Sequence, residues 1–246
     1  LSRLRTCACA VVTDVGSVKS QPLAQMSEVS AEQLRRYVGS HPMAGSERSG
    51  PLAGNASLFE GRPWAITPHA GSDAEAIEVV RTLATLCGAV PAQLTPSEHD
   101  QAVARVSHLP QLMSTLTAAQ LVNAPSDHLS LAGPGVRDVT RIAGSDPTLW
   151  KQILTANSAA VLELLDAVSA DLAQLRDVIA HGDPDEIAAL MARGVEGTRR
   201  IPGKHGGPAR PMATVSVTIP DTPGALATLF ADAGVIGVNI EDVRID

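Results

Sequence analysis

The chain has 246 residues, enough for one large domain or two modest ones. It is 44% hydrophobic and 18% charged, which fits a globular protein and excludes a disordered one. A formal charge of -7 and only two Trp, one Tyr and two Phe argue against a nucleic-acid partner, because polyanion binding and base stacking need the opposite.

Residues 1–6 carry two Arg but lead into only a short apolar run, unlike a signal peptide. No run approaches the ~18 apolar residues of a membrane span, so no membrane partner is expected. Residues 7–13, Cys-Ala-Cys-Ala-Val-Val-Thr, read as a buried parallel strand ending in the turn Asp14-Val-Gly-Ser17. Ligands of open α/β sheets bind at that end of a strand. Cys7 and Cys9 share one face of the strand and read as buried apolar residues in a reducing, cytoplasmic setting; no metal site is expected.

Residues 21–36 read as a short helix, and Tyr37-Val-Gly39 as a brief strand. The loop-forming stretch Gly39-Ser-His-Pro-Met-Ala-Gly-Ser-Glu47 follows, and Trp64-Ala-Ile-Thr67 suggests another strand. Ser72-Asp-Ala-Glu75 has capping-box spacing and opens a helix that Gly88 stops. Thr95-Pro-Ser-Glu98 repeats the signature, predicting a helix to about Asn123 with a bend near Pro110.

Asp146-Pro147 opens a third, long helix. On it Leu154, Val161, Val168 and Leu175 recur every seven residues, and Leu165, Leu172 and Ile179 follow four residues after three of them. That seam is too apolar to be left in water and predicts a homodimer. Gly194 to Pro211 is rich in Gly, Pro and basic residues and reads as a linker. The last stretch predicts a strand over 213–219, a helix over 225–233 and a strand over 238–243.

The chain holds seven His. His69, His181 and His205 fall in turn or linker settings and are expected to be exposed. His99 and His108 are nine apart, about 2.5 turns of regular helix, so they are expected on opposite faces. His41 lies in the loop after the strand predicted at 37–39, where Ser17, ending another strand of the same sheet, could orient its imidazole. Arg137 and Arg141 share a helical face; a structural salt bridge and a carboxylate site fit Arg141 equally well.

Four motifs occur in order: Asp14-Val-Gly-Ser-Val-Lys19, His41-Pro-Met-Ala-Gly-Ser-Glu47, Ser107-His-Leu-Pro110, and Arg137-Asp-Val-Thr-Arg-Ile-Ala143 followed by Ser145-Asp-Pro147. Together they resemble the prephenate dehydrogenase family over about residues 7–200. The tail from Val215 is similar to the first half of an ACT regulatory domain, through Asp221-Thr-Pro-Gly224 and Gly237-Val-Asn-Ile240.

The resemblance implies an α/β fold: residues 1–70 as the C-terminal part of a Rossmann domain, 71–193 as an all-α substrate and dimerisation domain, 194–211 as linker, and 212–246 as a partial βαβ ACT-like domain. It implies a chain that starts and stops within domains, because no Gly-x-Gly-x-x-Gly phosphate loop occurs. It implies oxidative decarboxylation of prephenate, with NAD (or NADP) as cofactor. His41 matches the catalytic His, and Ser17 the residue that bonds it and borders the nicotinamide with Asp14. Arg141 matches a substrate-carboxylate ligand. Ser46, Glu47, Asp138, Ser145 and Trp150 match positions around the substrate pocket. Gln111 stands where prephenate-using members often carry a second His, which opens arogenate as substrate. The ACT-like tail implies tyrosine as an effector.

Overall fold

A computed structural model describes residues 10–45, 50, 54–202, 213, 215–238, 240 and 243, with Ser27 described by its backbone alone. The chain forms two compact units, 1–207 and 208–246. Cys7, Cys9, His205, Ser46, Glu47 and most of the expected linker lie outside the described residues.

The first unit opens on a small sheet. Segment 12–14 runs parallel to 36–40: Val12 N donates to Arg36 O and Val38 N to Val12 O, both at 2.9 Å, and Ser40 N to Asp14 O at 3.0 Å. Strand β1 (Gly39–Pro42) pairs antiparallel with β2 (Pro63–Thr67), placing His41 opposite Ala65. Strand β3 (Val90–Gln93) pairs parallel with β2. The connection between those two parallel strands is a helix, as a parallel crossover requires.

In place of one helix over 21–36 there are two short ones, α1 (Ser20–Gln25) and α2 (Ala31–Arg35), the second closed by a capping box between Ser30 and Gln33. Helix α3 (Ala74–Leu86) buries Ala76, Val80 and Ala84 against Val38, Trp64 and Ile66. Apart from Trp64 this core is built of small and β-branched side chains, which explains how so few aromatics suffice. The expected capping box at Ser72 does not form: Asp73 precedes the helix, and its carboxylate takes the Arg35 guanidinium at 2.6 Å instead. Since α3 and β3 complete this sheet, the α/β part reaches Gln93 rather than ending at residue 70. His69, expected at the surface, is half-buried, with Nε2 3.0 Å from Leu34 O.

The helical part begins with α4 (Pro96–Val103), where Thr95 and Glu98 form the expected capping box. It passes through a wide π-type turn at Ala104–His108 into α5 (Leu109–Ala119). Short helices α6 (Ser126–Leu129) and α7 (Pro134–Thr140) follow, then a tight turn at Arg141–Gly144. The long helix expected from Pro147 is broken into α8 (Pro147–Ala156) and α9 (Ser158–His181), bent by 94° at Asn157. Asn157 turns its side chain inward at the kink, donating from Nδ2 to Asp100 O at 2.8 Å.

Helix α10 (Pro184–Arg199) is capped by Asp183 and runs through Gly194 and Gly197, so the linker does not begin at 194. No single helix among the described residues is long and apolar enough to cross a membrane.

Among its described residues the second unit holds one helix, α11 (Ala225–Val235), entered through Gly224 at φ +89°. The strands expected over 213–219 and 238–243 are absent among the described residues of those segments. Val215 is 77% exposed, and the alternating run finds no ladder partner there.

Candidate active site

Because segment 12–14 runs parallel to 36–40, their carboxyl ends emerge side by side. One delivers Asp14 and the turn to Ser17; the other delivers His41. Lys19, only 1% exposed, lies beneath them. Its Nζ donates to the Asp14 carboxylate and, at 2.6 Å, to Ser40 O. Tyr37 OH donates to the second Asp14 oxygen at 2.7 Å. Burial lowers the Lys19 pKa against the opposing pull of Asp14 and Asp100. Burial, reinforced by the Asp14 charge, raises that of Tyr37. Tyr37 therefore stays a donor.

His41 was expected to take its hydrogen bond from Ser17, but no such bond forms among the described residues. Its Nδ1 lies 2.9 Å from His99 Nε2 on α4, and the two rings meet edge to face. His99 Nδ1 lies 2.9 Å from Asp100 Oδ1. The Asp100 carboxylate also accepts the backbone N–H groups of Lys19 and Ser20, each at 2.8 Å. Burial works to raise the Asp100 pKa, but the bonds from His99, Ser20 and Lys19 outweigh it and hold it at about 2. Burial, with His99, Lys19 and His108 nearby and against the opposing pull of Asp14, pushes the His41 pKa down to about 4. At neutral pH His41 is thus an uncharged imidazole whose Nε2 has no partner among the described residues.

His99 and His108 are not on opposite faces as expected. The wide turn at 104–108 shifts the helical phase between them, and both are buried. His108 Nδ1 sits 3.3 Å from Asn157 Nδ2, and its ring packs edge-on against half-buried Trp150, 5.8 Å between centroids. Burial lowers the His108 pKa. His99, Asp100, His108 and Asn157 were given no site role from the sequence; the adjacent His99-Asp100 pair and the place of His108 in the Ser107-His-Leu-Pro110 motif were the local signals.

The other expected site residues divide. Gln111, on α5, is buried, and its side chain makes no hydrogen bond to a described residue. Ser114, one turn further along α5, accepts Ala143 N at 3.1 Å and so fixes the turn that begins with Arg141. Arg141 and Asp138 are exposed. The Ser145 hydroxyl is spent on Ile142 O at 2.7 Å, inside its own turn.

Residues 4–93 match the family profile described as prephenate dehydrogenase, nucleotide-binding domain. Residues 95–193 match prephenate dehydrogenase, dimerization domain. The probable prephenate dehydrogenase NovF of Streptomyces niveus is 37% identical over 243 residues, 94% of this chain and 67% of that protein. The chain belongs to the prephenate dehydrogenase family.

Other members of the prephenate dehydrogenase family align similarly. The prephenate dehydrogenase of Bacillus subtilis (strain 168) is 28% identical over 96% of this chain and 64% of its own. The prephenate dehydrogenase of A. aeolicus, solved in complex with hydroxyphenyl propionate and NAD+, superposes with a TM-score of 0.69 at 30% identity, covering 78% of this chain and 67% of that one. Synechocystis arogenate dehydrogenase gives 0.64 at 30% identity, over 80% and 73%. The chain spans 60–67% of the length of the curated relatives it matches. The profile boundary between residues 93 and 95 coincides with the end of β3 and the start of the Thr95 cap.

Proposed function

We propose that this protein catalyses the oxidative decarboxylation of prephenate to 4-hydroxyphenylpyruvate. A hydride leaves C4 of the ring, the C1 carboxylate departs as CO₂, and the ring aromatises. Aromatisation supplies the driving force, so the protein mainly positions and polarises. The observation that carries this reading is His41: a neutral, part-buried imidazole whose Nε2 has no partner among the described residues, at the strand ends where open α/β sheets bind nucleotides.

His41 Nε2 accepts a hydrogen bond from the substrate's 4-hydroxyl and holds its proton as positive charge develops at C4. The proton returns to the phenol oxygen once CO₂ has left, so none is gained or lost overall. Arg141 binds a substrate carboxylate through its planar fork. Trp150, Ser46, Glu47, Asp138 and Ser145 border the pocket in this reading.

The residues at the strand ends fit one end of NAD. Val15 is 59% exposed, and Gly16 sits in a turn so close that an added Cβ would lie 3.1 Å from Asp14 Oδ1, which leaves a bare backbone shelf beside His41. Asp14 and Ser17 would border the nicotinamide there, where NAD (or NADP) supplies the hydride acceptor. No residue of this chain is assigned to the pyrophosphate.

Arogenate is the alternative substrate, favoured by Gln111, whose neutral amide suits an amino-acid side chain better than a keto acid. Two protomers associate through the α9 seam. Tyrosine binding by the tail is the regulatory reading, supported by the Asp221–Gly224 turn entering α11, and inhibition by added tyrosine tests it.

Formation of NADH with prephenate, and separately with arogenate, tests the assignment. His41→Asn is expected to lower kcat by roughly 10²–10⁴ with little change in KM. An unaltered kcat would sink the role given to His41. Arg141→Ala is expected to act mainly on KM.

A further inference from the structure

The identity of the His41 acceptor atom is set by a chain of three side chains. Asp100 receives backbone N–H bonds on both oxygens, from Lys19 on Oδ1 and Ser20 on Oδ2. A carboxylate so surrounded is an acceptor only. The proton between it and the His99 ring must therefore sit on His99 Nδ1. A neutral imidazole protonated on Nδ1 keeps a lone pair on Nε2. That atom faces His41 Nδ1 at 2.9 Å, so His41 Nδ1 must be the donor. Its single proton is then used, and Nε2 is left bare.

We propose that His99, fixed by Asp100, is a positioning residue that locks His41 in the Nδ1–H tautomer and so makes Nε2 the acceptor for the substrate hydroxyl. The inference rests on the role given to His41 above. A free histidine in water favours the opposite tautomer, with the proton on Nε2, which would present a donor to a hydroxyl that has to give up its proton. The same chain accommodates the borrowed proton. When it reaches His41 Nε2, the imidazolium's Nδ1–H points at a His99 ring backed by the Asp100 charge, and the reverse transfer restores the starting state.

Uniformly ¹⁵N-histidine-labelled chain, observed by long-range ¹H–¹⁵N correlation near neutral pH, reads the tautomers directly. His41→Asn and His99→Gln supply the assignments. The expected spectrum has pyrrole-like Nδ1 and pyridine-like Nε2 for both His41 and His99. His99→Leu removes the acceptor, and His41 is expected to move toward the Nε2–H form. Turnover should fall roughly 10–100-fold, the scale typical of a partner that orients a functional imidazole, with KM little changed. His99→Gln places an amide oxygen near the lost Nε2 and is expected to restore the His41 tautomer and most of kcat.

A wild-type His41 protonated on Nε2 would overturn the proposal, and so would a His99→Leu protein whose His41 tautomer and kcat are unchanged. Should His99→Leu fail to fold, the wild-type and His99→Gln spectra still decide. Failure of the functional reading looks different: His41→Asn would leave kcat intact while the wild-type tautomer stayed as predicted.

Discussion

Taking an imidazole out of water has a price that appears as pH-dependent stability. The His41 pKa falls from 6.5 in the unfolded chain to about 4 in the fold. Between those values the unfolded chain holds a proton that the folded one lacks, so stability is fully present above 6.5 and lost as pH falls toward 4. Buried His108 acts in the same direction. Asp100 has its window lower, contributing stability above 3.8 that is lost as pH falls toward 2. From pH 7 to pH 5, His41 alone is expected to cost about 1–2 kcal/mol. Urea unfolding of wild type and His41→Asn at both pH values measures it. If the two proteins lose equal stability, the proton uptake belongs to another group.

The elements themselves divide by how local their causes are. The α4 start was legible because Thr95 and Glu98 bond each other's backbone within one turn. Thr95→Ala is expected to cost about 1 kcal/mol in urea unfolding. The bend at Asn157 was illegible, because Leu154 and Val161 keep a seven-residue rhythm across it, and the bond made there reaches Asp100 in another helix. The wide turn at 104–108 was equally hidden: an extra residue per turn leaves no mark on residue type, yet it brings His108 to the same side as His99. The site shows the same divide. His41 and its strand end could be read from the chain, whereas its partner His99 lies 58 residues away and only folding joins them. Asn157→Ala is expected to lose about 1–3 kcal/mol, since it removes a buried side-chain hydrogen bond to the Asp100 carbonyl. A loss within error would mean that the kink is set by backbone packing.

For the first unit as a whole, one carboxylate joins its two parts. Asp100, on the first helix of the dimerisation region, accepts the N–H groups that open α1, about 80 residues earlier in the chain. The His41 imidazole at the sheet edge is therefore positioned by a helix of the other part, and the site exists only where they meet. That dependence makes the rigidity of the helical part a functional matter, and the outer face of α9 bears on it. Val161 and Val178 are buried, whereas Leu172 and Ile179, one heptad apart, are 63% and 60% exposed. Met191 and Val195 on α10 add 54% and 51% exposed apolar side chains. A stripe of this kind on a region matching a dimerization domain is expected to close against a second copy of the chain, as a seam of seven-residue repeats does in a coiled coil. Leu172→Glu combined with Ile179→Glu places two carboxylates on each copy in that seam. Sedimentation velocity over a concentration series is expected to show the wild type as a dimer and the double variant shifted to monomer, with helix content by circular dichroism unchanged. A variant that sediments as the wild type does would move the association surface off this stripe.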